Sequence, residues 1–168
     1  PRGHPESGGA KEEKKMKANA PGGPSDTHIH CYDRPARAAP GAAMPGHYAP
    51  EAYRELQERL GLSRVIVVQP NAYRVDNTVT LAAMKALGGG AKGVAVVSET
   101  VPDAELERLT QAGIVAQRFF NLPAGTMPFS RMEPIMARVH PFGWHANLQL
   151  DGRELPRYEA QIRCLPGN

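Results

Sequence analysis

Short apolar runs alternate with amphipathic stretches along most of the chain. RVIVVQ at 64–69 and KGVAVVS at 92–98 are almost continuously apolar, which is typical of strands buried on both faces of a parallel sheet. Between these runs, apolar residues recur at intervals of three and four, as in helices that bury one face. The pattern predicts strands at 26–30, 64–69, 92–98, 114–120 and 144–150, and helices at 50–60, 77–87, 102–112, 131–142 and 156–165.

Proline and glycine mark the limits of several helices. Pro50 suits the first turn of the first helix, because its fixed φ angle is helical and its missing N–H is not needed there. Gly61 and Gly113 each follow a helical pattern and predict its end. Pro134 lies within 131–142, so we expect that helix to begin near Glu133.

The βα alternation predicts parallel strands joined by right-handed crossovers. An open doubly wound sheet and a closed barrel both satisfy this pattern. No glycine-rich phosphate loop follows the first strand, which ends instead in polar side chains of the metal-ligand type, and this favours an α/β fold of the (β/α)8 TIM-barrel class.

The length of the chain limits how much of a barrel it can form. A complete TIM barrel typically needs about 250 residues, and the chain has 168. We therefore expect residues 25–168 to form the N-terminal part of a barrel, truncated after about five βα units. The sequence does not distinguish a truncated gene product from a frameshift or a fragment. Such an open barrel is expected to expose the edge of its fifth strand and an apolar interior.

Residues 1–24 are expected to be a disordered leader, because they are rich in Gly, Pro, Lys and Glu and have little apolar surface to bury. The net charge of +3 lies largely in this segment. The sequence has no basic stripe with interleaved aromatic residues, so it does not predict a nucleic-acid partner. It also has no apolar run of membrane-spanning length, so no membrane partner is predicted. Cys31 and Cys164 are expected to be buried free thiols of a cytoplasmic enzyme rather than a disulfide. The oligomeric state is not predicted.

The first strand carries the strongest chemical pattern, Asp26-Thr27-His28-Ile29-His30. Because strand side chains alternate, Asp26, His28 and His30 are expected on one face. Two imidazoles two residues apart can ligate one divalent metal or contact one substrate. The proline-rich loop at 31–50 follows directly, and long loops in compact domains tend to be functional.

Five blocks of sequence, in order, resemble the amidohydrolase superfamily. DTHIH at 26–30 resembles the HxH motif that opens its barrels, and the later blocks resemble its lactone-processing branch, which contains pyrone-dicarboxylate lactonases and galactarolactone isomerases. These later blocks are RLGLSRVIVVQPNAYRVDN (59–77), GGGAKGVAVV (88–97), AGIVAQRFFNLPAG (112–125) and GWHANLQLDGRELP (143–156).

The resemblance implies roles for matching residues. His28 and His30 would be catalytic. In much of the superfamily such histidines bind a divalent metal such as zinc, whereas in the lactone branch they contact the substrate without a metal, so the expected cofactor is either none or one divalent metal. Arg118, at the end of the fourth strand, would bind a substrate carboxylate and polarise a lactone. Gln149, at the end of the fifth strand, would also bind substrate.

Further polar residues follow the second strand or lie on the fifth. Asn71 and Tyr73 are expected either to bind a polyhydroxylated ligand or to cap their loop. Asp76 and Asn77 are expected to cap the next helix rather than to belong to the site. His145 would lie on the face of Gln149 but low in the barrel, in a structural role.

Two departures from the family pattern shape the functional hypothesis. Residues 121–125 lack the second basic residue of the pyrone-dicarboxylate lactonases, which favours a sugar-acid lactone. The resemblance also implies a histidine on a sixth strand and an aspartate on an eighth strand, and the chain does not contain these strands. We expect lactone isomerisation or hydrolysis, with a small-molecule lactone or carboxylate as partner. The alternatives are a metal-dependent hydrolase or decarboxylase of the same superfamily and an inactive barrel fragment.

Overall fold

A computed structural model describes residues 23–33 and 37–167. Most of the predicted disordered leader, residues 1–22, lies outside the described residues. Gly23 and Pro24 precede the first strand. The carbonyl oxygen of Gly23 accepts a hydrogen bond from the side chain of Arg64, and that of Pro24 accepts one from the backbone N–H of Ser63.

Five parallel strands lie side by side in chain order. This order is that of consecutive barrel strands, whereas the order reverses in a doubly wound sheet. The predicted fold class is therefore confirmed as a half-barrel. The strands are β1 (Ser25–Ile29), β2 (Arg64–Val68), β3 (Ala91–Ala95), β4 (Ile114–Phe120) and β5 (His145–Gln149), and the helices are α1 (Pro50–Leu60), α2 (Thr78–Leu87), α3 (Asp103–Gln111), α4 (Met132–Val139) and α5 (Leu155–Arg163).

The predicted limits hold where local chemistry defines them. α1 begins at Pro50 and ends before Gly61, whose φ of 69° is left-handed. In this conformation a residue with a Cβ is strained, so the glycine ends the helix cleanly. α4 begins at Met132, one residue before the predicted start, and Pro134 lies in its first turn, where it breaks no hydrogen bond.

β3 ends earlier than predicted because side chains occupy the backbone N–H groups that follow it. The N–H of Val96 donates to Oδ1 of Asn77 over 3.0 Å, and the N–H of Val97 donates to Oε1 of Gln117 over 2.9 Å. Asn77 therefore anchors this loop and does not cap α2, contrary to the prediction. Asp76 does cap it, since its carboxylate accepts from the N–H of Thr78 over 3.0 Å.

The two faces of the sheet bury different clusters. The main core lies between the outer face and the helices, and the interior holds a small cluster of Val68, Val94 and Ala116 with Ile66 packed against it. These three residues are buried even though the barrel is open. The prediction of an exposed apolar interior is thus wrong for them, because small side chains on adjacent strands cover one another.

A bulge in β1 separates two residues that the sequence placed on one face. Asp26 pairs with Val65 and Ile29 pairs with Val67, so β1 advances three positions while β2 advances two. The extra residue rotates Asp26 to the outer face, where its carboxylate accepts from the hydroxyl of Tyr53 on α1 over 3.1 Å. The expectation that Asp26 shares the histidine face is wrong for this reason.

Both cysteines are free thiols, as predicted, but only Cys31 is buried. Cys164 lies just after the last turn of α5 and is exposed, so the prediction that it is buried is wrong. Among the described residues, no helix has both the length and the apolar character needed to cross a membrane.

Candidate active site

The histidine pair and Arg118 lie together at the carboxyl-terminal end of the sheet. His28 lies on β1 and His30 follows it, while Arg118 lies near the end of β4, with Gln149 at the last position of β5. Parallel strands end at the same edge, so residues far apart in sequence meet there. Arg118 acts electrostatically on both imidazoles, so the structure brings these three predicted side chains together.

The hydrogen bonds of the histidine pair define its protonation. Nδ1 of His30 lies 2.7 Å from the carbonyl oxygen of Val68. Because a carbonyl oxygen only accepts, Nδ1 carries the proton and Nε2 of the neutral ring holds a lone pair. Nε2 of His28 lies 3.3 Å from that nitrogen and therefore donates to it. The pair thus has one consistent arrangement, with a proton on Nε2 of His28.

The surroundings keep both imidazoles neutral. Burial lowers the pKa of His28, and the charge of Arg118 lowers it further, against a smaller opposing effect of Asp26. Burial also lowers the pKa of His30, and the hydrogen bond to Val68 only partly opposes this. Neutral imidazoles can accept a proton from a substrate, which imidazolium ions cannot do.

Arg118 is a buried cation without a carboxylate partner. Its side chain is almost fully enclosed, and none of the ion pairs among the described residues includes it. Nε is buried and has no hydrogen-bond partner among these residues. The guanidinium also lies 5.0 Å from the ring centroid of Phe120. A buried positive charge is costly unless an anion compensates it, so this geometry favours binding of an anionic ligand.

Two glutamines position the Arg118 guanidinium. Nη1 donates to the carbonyl oxygen of Gln69 over 2.5 Å, and Nη2 donates to Oε1 of Gln149. Gln149 was predicted to bind substrate, and the structure uses its carbonyl oxygen on Arg118. Gln69 was not identified from the sequence; its own amide is held by the carbonyl oxygens of Arg74 and Asp76, over 3.1 and 2.7 Å.

Asn71 connects the loop after β2 to the turn after β4. Its Nδ2 donates to the carbonyl oxygen of Ala124 over 2.7 Å, and its Oδ1 accepts from the N–H of Thr126 over 2.8 Å and from the hydroxyl of Thr126. Both ends of the amide are therefore occupied by protein. This is the loop-stabilising role that the sequence left open for Asn71, and substrate binding by this residue stays a prediction.

Tyr73 supports the loop after β1 from the side. Its ring is buried, and its hydroxyl accepts from the N–H of Asp33 over 2.7 Å. The hydroxyl thus has a protein partner, as does the amide of Asn71. Substrate binding by Tyr73 also stays a prediction, and the structure brings neither residue into contact with the histidine pair. His145 lies at the first position of β5, at the opposite end from Gln149, as expected.

Tyr32 lies beside the histidine pair and was not predicted from the sequence. Its ring lies edge-on to His30, with the centroids 6.1 Å apart. The charge of Arg118 acts on its hydroxyl, and that hydroxyl acts on Arg118 in return. The alternation of His28 and His30 extends to position 32, and this was the signal that could have identified it.

The histidine pair is also compatible with part of a metal site. Zinc–nitrogen bonds of about 2.05 Å at a tetrahedral angle place two ligand nitrogens about 3.3 Å apart, as in this pair. The hydrogen bond from Nδ1 of His30 to Val68 is also typical of a metal-bound histidine. However, within residues 23–33 and 37–167 no three His, Cys, Asp or Glu side chains are grouped to hold a metal.

The arrangement is suited to chemistry at a carbonyl group. Arg118 provides a buried positive charge, which can stabilise an oxyanion. The neutral imidazoles beside it can accept or donate a proton. Asp26 does not serve as a carboxylate base at this site, because the bulge turns its side chain to the outer face of the sheet.

Comparisons with known proteins agree with this geometry. The family model described as amidohydrolase matches residues 25–166. The chain belongs to the amidohydrolase family. It is 37% identical over 141 residues to a D-galactarolactone isomerase of Agrobacterium fabrum, covering 80% of the chain and 47% of that protein. It is 30% identical over 166 residues to a 2-pyrone-4,6-dicarboxylate hydrolase of Comamonas testosteroni, covering 90% and 52%.

Solved structures support the same fold. An apo structure from Agrobacterium tumefaciens superimposes with a TM-score of 0.80 at 34% identity, covering 86% of this chain and 54% of that one. A probable 2-pyrone-4,6-dicarboxylic acid hydrolase from Acinetobacter baumannii gives 0.70 at 21% identity, covering 85% and 55%, which supports the fold alone. The resemblance seen in the sequence is confirmed, and the chain spans about half the length of the curated relatives it matches.

Proposed function

We propose that this amidohydrolase acts on the lactone of a sugar acid, by moving the acyl group between hydroxyls of one molecule or by hydrolysing the ring. The observation that carries the proposal is Arg118, a buried cation with an unpartnered Nε and no carboxylate neighbour among the described residues, beside two neutral imidazoles. Such a site binds an anion and exchanges protons next to it. Among the relatives, a D-galactarolactone isomerase and a 2-pyrone-4,6-dicarboxylate hydrolase support an isomerase or hydrolase activity.

In the proposed reaction, Arg118 binds the carboxylate or the lactone carbonyl oxygen of the substrate and stabilises the charge that develops there. As the attacking oxygen bonds to the carbonyl carbon, its proton passes to an imidazole lone pair, Nδ1 of His28 or Nε2 of His30. The imidazolium then gives that proton to the ring oxygen as the lactone C–O bond breaks. Attack by a hydroxyl of the same molecule gives isomerisation, and attack by water gives hydrolysis. Both outcomes use these residues in the same way.

A substrate with a single carboxylate near Arg118 fits the local charge. Residues 121–125 carry no basic side chain. In this turn, the side-chain amide of Asn71 donates to the carbonyl oxygen of Ala124. A second carboxylate would therefore find no cation on this turn. This supports a hydroxylated sugar-acid lactone over a pyrone dicarboxylate.

We further propose that the reaction needs no metal. Arg118 adds a positive charge that opposes the binding of a second cation. If a metal binds, His28 and His30 are its ligands, and it would supply an activated water for the metal-dependent hydrolase or decarboxylase that is the second candidate.

The proposal extends to the organisation and location of the protein. Residues 25–168 would be the N-terminal part of the barrel domain, and the partner would be a small molecule rather than nucleic acid or membrane. Two free thiols in the described residues support a reducing, cytoplasmic location.

The proposed activity is tested by incubating the protein with aldarolactones and pyrone lactones and following ring opening and ring migration by NMR. We expect ring migration or opening of an aldarolactone, and loss of either in His30→Ala. His145→Ala is the matched control, because His145 is exposed at the opposite end of β5. Turnover of pyrone lactones alone would contradict the choice of sugar-acid substrate, and turnover of neither would contradict the function.

A further inference from the structure

Tyr32 presents a phenol hydroxyl that no described residue uses. The hydrogen bonds formed within residues 23–33 and 37–167 include the backbone of Tyr32 but not its hydroxyl. The side chain is only half-buried. Its neighbour Tyr73, by contrast, uses its hydroxyl on Asp33. Tyr32 therefore has a polar group that is available to a ligand.

The ring of Tyr32 is held in place from three sides. It lies against His30 at 6.1 Å, Tyr48 at 6.2 Å and Tyr73 at 6.2 Å between ring centroids. Its backbone N–H and carbonyl group also pair with those of Tyr48 over 3.0 and 2.9 Å. A side chain fixed in this way loses little conformational entropy when it binds, so its hydroxyl is preorganised.

The surroundings of the hydroxyl indicate what it can bind. Burial raises the pKa of Tyr32, so the phenol is a neutral donor at neutral pH. His30, against which Tyr32 packs, and Arg118 bond to the carbonyl oxygens of the consecutive residues Val68 and Gln69, and the charge of Arg118 acts on the phenol. The Nε of Arg118 is buried without a hydrogen-bond partner, so this cation favours a carboxylate. A cation and a neutral donor and acceptor in the same site are complementary to a carboxylate that carries a hydroxyl on the neighbouring carbon.

We propose that Tyr32 contacts the substrate and determines its specificity, by hydrogen-bonding the hydroxyl next to the carboxylate that Arg118 binds. This inference rests on the proposed function, which it deepens by naming the part of the substrate that is recognised. A ligand that lacks this hydroxyl would leave the phenol without a partner. The site would therefore discriminate hydroxylated from unsubstituted carboxylates.

The test compares the binding of tartrate and succinate, which differ in hydroxyl groups, by titration calorimetry. We expect the unmodified protein to prefer tartrate by about fivefold to tenfold, as one neutral hydrogen bond provides. In Tyr32→Phe we expect the preference to disappear while the affinity for succinate stays unchanged. A merely structural role of the hydroxyl would instead lower both affinities equally.

Two further variants serve as controls. Tyr158→Phe makes the same chemical change on α5, where the hydroxyl accepts from Asn121 over 2.9 Å, and should keep the preference. Arg118→Met should weaken both ligands. Circular dichroism checks that each variant is folded. The inference is overturned if Tyr32→Phe keeps the preference, or if the unmodified protein shows none or binds neither ligand.

The outcome separates this inference from the proposed function. A protein that turns over no lactone but prefers tartrate in a manner that depends on Tyr32 would contradict the function and support the contact. A protein that isomerises or hydrolyses aldarolactones equally well with Phe at position 32, with unchanged KM, would support the function and contradict the contact.

Discussion

The Nδ1–H of His30 donates to the carbonyl oxygen of Val68 over 2.7 Å, and this contact orders the protons of the histidine pair. It leaves the lone pair of His30 on Nε2, facing Nε2 of His28 at 3.3 Å. We therefore expect nitrogen-15 NMR of the neutral protein to show His30 protonated at Nδ1 and His28 at Nε2. The opposite tautomer on His30 would contradict this assignment.

The pH dependence of the pair follows from its lowered pKa values. Since burial holds both below the ordinary value of 6.5, the folded protein binds fewer protons than the unfolded chain just below that pH. The contribution of the pair to the free energy of unfolding is thus present above pH 6.5 and is lost as the pH falls through the folded pKa values. Urea titrations should show that the free energy of unfolding falls less steeply toward acid pH in the double variant His28→Gln/His30→Gln than in the unmodified protein. If the free energy of unfolding fell equally steeply with pH in both proteins, the imidazoles would not be held neutral.

Removing the buried cation should reduce catalysis strongly. In Arg118→Met we expect kcat/KM for an aldarolactone to fall by about tenfold to 150-fold, which corresponds to the roughly 1.5–3 kcal/mol of a charge-assisted hydrogen bond. Arg163→Met is the matched control, because Arg163 is exposed and pairs with Glu159 on the same helix. An unchanged kcat/KM in Arg118→Met would refute its role.

Asn71 offers a test of structural against ligand-binding roles. Asn71→Ala removes the contacts to Ala124 and Thr126, so we expect the free energy of unfolding to fall by about 0.5–1.5 kcal/mol, the net value of a typical intramolecular hydrogen bond. Gln111→Ala, at the exposed end of α3, should change it by less than about 0.5 kcal/mol. A raised KM without loss of stability would instead identify Asn71 as a substrate contact.

Metal analysis tests the choice between the two candidate chemistries. We expect far less than one equivalent of zinc in the purified protein, because the charge of Arg118 disfavours a dication near His28. Plasma emission spectrometry measures this directly. One equivalent of zinc that is lost in His28→Ala and kept in His145→Ala would establish the metal-dependent alternative.

The sequence predicted the parts of the fold that local chemistry determines. α1 and β4 have the predicted limits, because Pro50 and Gly61 define the helix and an apolar run defines the strand. The bulge in β1 was not predicted, since one extra residue leaves an alternating pattern apparently intact. The early end of β3 depends on Asn77 and Gln117, which lie 19 and 20 residues from the groups they bind.

The site was predictable to the same extent. His28, His30 and Arg118 were predicted as site residues because their residue types and positions at strand ends are informative, and the structure brings them together. The contacts of Asn71 with the turn at 124–126 span more than 50 residues, and no local pattern encodes them. Gln149 was expected at the site, but its hydrogen bond to Arg118 depends on the neighbouring arrangement of β4 and β5.

The backbone pairing of Tyr32 with Tyr48 closes the loop between them at a single position. A change in the length of a loop closed in this way alters the closure entropy only slightly. Residues 43–47 can therefore be exchanged while the contacts of Asp33 with Tyr73 and of Ala39 with Ala72 are kept, and we expect new substrate ranges to be selected there without a change to the histidine pair.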